Sequence, residues 1–187
     1  PVSEEVNVTA TRTPRTLGET PGSVVVLSSQ DLAATAAPTI DDALRQATGF
    51  SLFRRTGSRT ANPTTQGVSL RGVGASGTAR AAVLDDGLPL NDPFGGWIFW
   101  GRVAPGSLER IEVVRGPGGT LWGANAVNGV INVITKTSAD TQGTLLTTSA
   151  GSNLGQTVLR YGGKAGLNTT YRIYTKYSYF GPQVFAS

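Results

Sequence analysis

The chain has 187 residues, enough for one domain of ordinary size and a remnant but hardly for two. Hydrophobic residues make up only 39%, and 25 Gly with 10 Pro point to a loop-rich β protein with few long helices. With no Cys and no His the chain lacks a disulfide framework, a thiol nucleophile, cysteine-type zinc ligands and the usual base of hydrolytic triads, and the basic residues behind its net charge of +4 sit mostly singly between Gly, Thr and Ser rather than in a nucleic-acid footprint.

Met is absent too, which makes Pro1 a processed terminus or the start of a piece. No signal peptide and no apolar run long enough for a membrane helix occurs. Residues 1–15 read as an extended arm without a helical stripe. Within it Val6, Val8 and Ala10 alternate with Asn7 and Thr9, the pattern of a short strand. Such a strand either adds to the open sheet edge of a partner or serves as an ordinary edge strand of this protein's own sheet.

A compact strand follows over 23–27. Ser28 and Asp31 have capping-box spacing for a helix over 31–37, stopped by Pro38, and Thr39 with Asp42 repeats the device for a helix over 40–48. The second helix buries Ile40, Ala43, Leu44 and Ala47 and ends at Gly49. Residues 54–63 are polar and basic, an exposed loop carrying Arg54, Arg55 and Arg59. A strand and a glycine turn over 67–77 precede a hairpin over 81–90 built around Asp86 and Gly87. Residues 91–102 form a Gly/Pro loop with Trp97, Phe99, Trp100 and Arg102, a composition that suits a recognition surface or a membrane interface.

In the stretch 108–136, Ile111 and Val113 alternate with Glu112 and Val114 up to a break over 115–119. Val130, Ile131, Val133 and Ile134 then resume a β-branched run, so two strands flank a tightly folded loop. After Gln142 three strands are expected over 143–153, 156–164 and 168–180. In the last, Tyr171, Ile173, Thr175, Tyr177 and Tyr179 share one face, and Arg172, Tyr174, Lys176 and Ser178 the other. A length near ten residues with an aromatic face and a polar face suits a transmembrane β-strand, although half of a soluble antiparallel sheet has the same pattern. Three strands cannot close a barrel, so membrane strands here imply a fragment.

Apparent chemical motifs dissolve on inspection. Residues 72–77 spell GxGxxG, but a β-like run follows instead of a helix, and Asp85 and Asp86 arrive too early for a ribose contact. Residues 116–123 lack the Gly-Lys-Ser/Thr ending of a P-loop. Asp85, Asp86 and Asp92 suit turn chemistry better than a Ca²⁺ site or a catalytic carboxylate pair. No catalytic residue, cofactor or metal site is expected, and the chain does not read as an enzyme.

Several segments, in order, resemble the plug (cork) domain of TonB-dependent outer-membrane receptors. Glu5-Val-Asn-Val-Thr-Ala10 is similar to the TonB box. Residues 40–50 resemble the helix and "PGV" turn, with Thr48 in place of the usual Pro. Residues 68–72 resemble the "IRG" strand, 83–92 the "VLIDGVPV" hairpin, and 109–136 the last plug motif.

The resemblance implies an α+β plug, a small mixed sheet with short helices and long loops, over residues 16–140. It implies a mobile arm over 1–15 and, over 141–187, the first antiparallel strands of an incomplete transmembrane β-barrel of about 22 strands. It implies a Gram-negative outer-membrane location, with the arm facing the periplasm and lipid around the barrel. The implied function is energy-coupled uptake of a scarce ligand such as a ferric siderophore. Glu5, Val6, Asn7, Val8, Thr9 and Ala10 would meet the C-terminal domain of TonB by strand addition. Arg71 and Arg115 would lock the plug to barrel acids beyond Ser187. Arg54, Arg55, Arg59, Trp97, Phe99, Trp100 and Arg102 are candidate contacts for a metal chelate or an anionic glycan. The alternative is a soluble ligand- or glycan-binding module using the Trp-rich loop.

Overall fold

A computed structural model describes residues 7–8, 15–16, 23–35, 37, 39–53, 57–60, 66–71, 80–103, 105–151 and 153–181. Two compact units are present, residues 1–103 with 108–135, and residues 104–107 with 136–187.

In the first unit, β1 (Asn7–Val8) and β2 (Arg15–Thr16) form a two-stranded antiparallel ribbon separate from the main sheet. β3 (Ser23–Ser28) leads into α1 (Ser29–Ala34), whose N-cap is Ser28. The capping box forms as the spacing requires: the Asp31 N–H donates to Ser28 Oγ at 3.2 Å and the Ser28 N–H donates to Asp31 Oδ2 at 2.9 Å. The helix starts two residues earlier than expected because the box fixes Asp31 as its third residue, and it ends at Thr35, which is extended.

The second helix, α2 (Ile40–Leu44), is shorter than the expected 40–48. Beyond it Arg45, Gln46 and Ala47 donate to carbonyls three residues back, at 3.3, 3.2 and 2.9 Å, so the last turn tightens instead of continuing as α-helix. Thr39 does not cap the backbone; its hydroxyl donates to Asp42 at 3.0 Å. The expected apolar face is nonetheless buried, with Ile40, Ala43, Leu44 and Ala47 all in the interior. Gly49 turns the chain at φ +83°, where a Cβ would lie 2.6 Å from the Leu70 carbonyl oxygen.

β4 (Ser51–Leu52) pairs with β5 (Val68–Ser69), a small ribbon of its own. The main sheet adds β6 (Ala82–Asp85), β7 (Leu88–Pro89), β8 (Leu108–Arg115) and β9 (Gly129–Thr135) to β3, in the order β3-β8-β9-β6-β7. Pairings are antiparallel except β6 with β9, which is parallel, so the sheet is mixed. Between β8 and β9 the expected glycine loop contains a helical turn, α3 (Gly119–Trp122), and a 3₁₀ turn at Ala124–Ala126.

Period-two alternation divides the sheet into two faces. One face presents Leu27, Ile111 and Val133 in one row and Val25, Val113, Ile131 and Val83 in the next. α2, Leu52, Val68, Leu70, Ile98 and Trp100 join it in the principal core. The opposite face presents Val26, Glu112, Asn132 and Leu84, then Val24, Val114, Val130 and Ala82, where Ala126 and Trp122 build a smaller apolar cluster. Glu112 is fully buried on this face and accepts from Arg110 Nε at 3.0 Å.

The second unit is an antiparallel meander of β10 (Gly143–Gly151), β11 (Leu154–Ala165) and β12 (Thr169–Phe180), close to the expected three strands. Leu146, Leu159, Tyr161, Ile173 and Tyr177 share one face by register and are exposed. Gly163 stands opposite Tyr171, and a Cβ there would meet the Tyr171 ring, so the glycine leaves room for the aromatic side chain. Among the described residues no helix is long and apolar enough to cross a membrane.

Candidate functional site

The aromatic loop is built on a rigid frame. Asp86 (φ +48°) and Gly87 (φ +82°) give the β6–β7 hairpin its tight turn. The Asp86 carboxylate accepts from the Thr135 N–H at 2.8 Å and the Thr135 hydroxyl at 2.7 Å, tying the turn to the end of β9. Buried Asn91 then accepts from the Val83 N–H at 2.8 Å and donates to the Ala81 carbonyl at 3.2 Å, and it forms a bridge with Ile98. Between these anchors Asp92 Oδ1 accepts from the N–H groups of Phe94 and Gly95 at 3.0 and 2.8 Å. Phe94 is left 97% exposed at the tip.

The expected exposure of this loop holds for only part of it. Trp97 is half-buried with its ring laid over Gly95, and Phe99 lies under the Arg102 guanidinium, 4.8 Å from its ring centroid. Trp100 is 3% exposed and packs edge-on to Phe50 with ring centroids 6.4 Å apart. It is a core residue in this fold, because the chain enters a 3₁₀ turn at Trp100–Arg102 that directs its indole inward. Phe94, by contrast, escapes the sequence reading. The Asx-turn signature of Asp92 followed by Pro93 and a glycine pair is the signal that would have found it.

The basic loop is held by acids of α2. Fully buried Asp41 accepts from the Ser58 N–H at 2.8 Å and the Ser58 hydroxyl at 2.5 Å. Its neighbour Asp42 meets Arg59 Nε at 3.3 Å and Arg45 Nε at 3.5 Å. Arg59 is therefore held directly by Asp42, whose expected role is capping, and its neighbour Ser58 by Asp41. Arg54 and Arg55 lie outside the described residues.

Arg71 is exposed, whereas Arg115 is partly buried inside the first unit. The Arg115 Nη1 donates to the Thr48 carbonyl at 3.1 Å and its Nη2 to the Ser23 hydroxyl, so one guanidinium joins the end of β8, the turn after α2 and the first residue of β3. Its Nε is buried with no acceptor among the described residues. Of the arm, Asn7 and Val8 are in β1, while Glu5, Val6, Thr9 and Ala10 lie outside the described residues.

A profile of the TonB-dependent Receptor Plug Domain matches residues 16–130. The chain belongs to the plug-domain family of TonB-dependent receptors. A vitamin B12 transporter of Vibrio vulnificus is 34% identical over 151 residues, which is 81% of this chain and 24% of the relative. An iron-regulated outer membrane virulence protein of Vibrio cholerae is 34% identical over 142 residues, 71% of this chain and 20% of the relative. The chain thus spans about a quarter or less of these curated relatives.

Among solved structures, the ferripyoverdine receptor of the outer membrane of Pseudomonas aeruginosa aligns with a TM-score of 0.64 at 23% identity, covering 92% of this chain and 22% of that one. The siderophore receptor PirA from Pseudomonas aeruginosa aligns with a TM-score of 0.56 at 24% identity, covering 86% and 29%. At that identity the likeness concerns fold: a plug with a small mixed sheet and short helices, joined to barrel strands. These relatives are transporters and receptors, and they do not favour the soluble glycan-binding module.

Proposed function

We propose that the chain is the plug and first barrel strands of a TonB-dependent outer-membrane transporter, gating energy-coupled uptake of a scarce ligand such as a ferric siderophore. The observation that carries this reading is the combination, in one chain, of a plug-family sheet and a meander with one exposed apolar face. Strands of 9, 12 and 12 residues are long enough to cross a bilayer when tilted. In this reading the apolar face meets outer-membrane lipid, and the plug lies inside the barrel with its arm towards the periplasm.

Arg59, Trp97, Phe99 and Arg102 serve as ligand contacts, with Arg54 and Arg55, and Phe94 joins them as the most exposed aromatic of the framed loop. Trp100 supports them from the core. Arg71 and Arg115 hold the plug to barrel acids; for Arg115 the buried Nε offers the donor for such an acid, while its other nitrogens brace the plug from within.

The arm, Glu5 to Ala10, is offered to the C-terminal domain of TonB. In the ribbon β1 pairs only with β2, so one edge of β1 is open to strand addition among the described residues. Capture of that TonB domain by the full-length transporter is the test. Val8→Pro removes a ladder N–H and is expected to abolish capture; undiminished capture by the variant would overturn the assignment of the arm.

A further inference from the structure

Asn128-Gly129 is the one Asn-Gly pair in the chain. At such a pair a main-chain nitrogen attacks the preceding side-chain amide most readily, because glycine puts no side chain in the way. The pair opens β9, the central strand of the plug sheet, where Gly129 stands opposite Arg115.

The fold uses both residues. Gly129 has φ +145°, and a Cβ there would lie 2.3 Å from the Val114 carbonyl oxygen and 2.7 Å from Leu70 Cδ1, so a side chain would collide with the neighbouring strand. Asn128 is buried and held from three sides. Its Nδ2 donates to the Ser69 hydroxyl at 3.3 Å, its main-chain N–H donates to the Arg80 carbonyl at 2.9 Å, and its carbonyl accepts from the Gly116 N–H at 3.3 Å. Attack requires the Gly129 nitrogen to swing onto the side-chain carbon of Asn128. With the main chain pinned and the amide turned to Ser69, that rotation is closed to the folded plug.

We infer that Asn128 is a deamidation site gated by the plug, protected while the sheet is closed and modified when the strands around it separate. The chemistry uses only the chain and water. The Gly129 nitrogen gives up its proton and bonds to Asn128 Cγ; the bond from Cγ to the amide nitrogen breaks, and the departing nitrogen takes up a proton and leaves as ammonia. Water then opens the succinimide ring at either carbonyl. One opening leaves an aspartate in place of Asn128, and the other an isoaspartyl link.

Either product opposes reclosure. The aspartate puts a carboxylate where a buried amide donated to Ser69. The isoaspartyl link lengthens the main chain by a methylene beside Val114, where there is no room for a Cβ. The plug thus keeps a chemical record of the time its sheet spends open. Gating by the closed sheet stands on geometry alone; what opens the sheet in the cell rests on the transporter reading. Ser69 and Arg80 precede Asn128 in the sequence, so a pull on the arm reaches them before it reaches β9.

The test incubates the full-length transporter at mildly alkaline pH, with and without urea sufficient to abolish amide protection over residues 129–135. Peptide mass spectrometry then follows deamidation at position 128. The reaction should be at least about tenfold slower in the closed protein, because its rate scales with the open fraction. Asn128→Gln, whose longer side chain closes a ring far more slowly, should remove the signal in urea. Equal rates with and without urea, no deamidation in urea, or a signal that survives Asn128→Gln overturns the inference. Cells separate it from the transporter reading. Deamidation at 128 should be higher in the parent than in Val8→Pro, whose arm is not captured. Equal levels in the two, with urea-gated deamidation intact, refute the coupling of the pull to the plug and leave the gated site standing.

Discussion

The two units of this chain solve the problem of polar and apolar side chains in opposite ways. In the first, both faces of the sheet turn inward, and even a charge, Glu112, is fully buried beside Arg110. In the second, apolar and charged residues are sorted onto opposite faces of an open meander, and the apolar face is exposed. A buried carboxylate with a guanidinium partner is an arrangement for water-excluded packing, costly to break from either side. Sorting by face is an arrangement for a boundary between two solvents. The same alphabet of Val, Ile, Tyr and Arg therefore serves a core in one unit and an interface in the other.

A matched pair of isoleucines sharpens this contrast most. Ile131 is fully buried in the principal core, and Ile173 is 66% exposed on the apolar face of β12. Ile131→Ala should cost about 2–5 kcal/mol in denaturant unfolding of the full-length transporter, from lost burial and the cavity left behind. Ile173→Ala should change the same measurement far less. The order reverses for charge at a lipid face: Ile173→Arg should cost about 2–4 kcal/mol in folding into phosphatidylcholine vesicles if the residue sits near the bilayer midplane. Equal tolerance of Arg at Ile173 and at an exposed plug position would break the comparison.

A smaller effect tests whether the loop frame belongs to the core. Asn91 is buried and bonds Val83 and Ala81 within the plug, so Asn91→Ala leaves a buried N–H and C=O without their partner. About 1–3 kcal/mol of stability should be lost. Amide hydrogen exchange of Phe94 and Gly95 should rise at the same time, since their acceptor Asp92 is positioned by the same frame. Unchanged exchange with lost stability would separate the frame from the loop it carries.

What was legible in the sequence follows locality. The Ser28 and Asp31 box, the Asp86-Gly87 hairpin and the buried stripe of Ile40, Ala43, Leu44 and Ala47 are set by residues within a few positions of one another, and each stands where the pattern put it. The strands after Gln142 were legible because register and lateral polarity both follow from period two. Less local features were not. The parallel pairing of Ala82–Asp85 with 130–133 has no turn to announce it. The grip of Asp41 on Ser58 spans 17 residues, and a capping role for the adjacent acid was the simpler local reading. Trp100 reads as exposed because its neighbours are Gly and Phe on a loop; it is buried in a core that includes Phe50, 50 residues away in sequence and invisible to local pattern. Resemblance supplied the family, and only the fold could say which aromatic of the loop faces solvent.

The smallest effect concerns pH, and it concerns an acid of the first unit, the strands over 143–180 having none. Asp31 lies in the plug, where the Ser28 hydroxyl and then the Ser28 N–H donate to its carboxylate and hold its pKa below the ordinary value. A carboxyl with a lowered folded pKa is favoured in its charged form by folding. Its contribution is therefore complete above the unfolded-state pKa and disappears as pH falls through the lower, folded one. The fully exposed position keeps the effect small. Asp31→Asn should accordingly lower the midpoint of thermal unfolding slightly at neutral pH and converge with the parent chain in strong acid. A difference that persists unchanged into strong acid would mean that Asp31 stabilises α1 by packing and not by its charge-assisted cap.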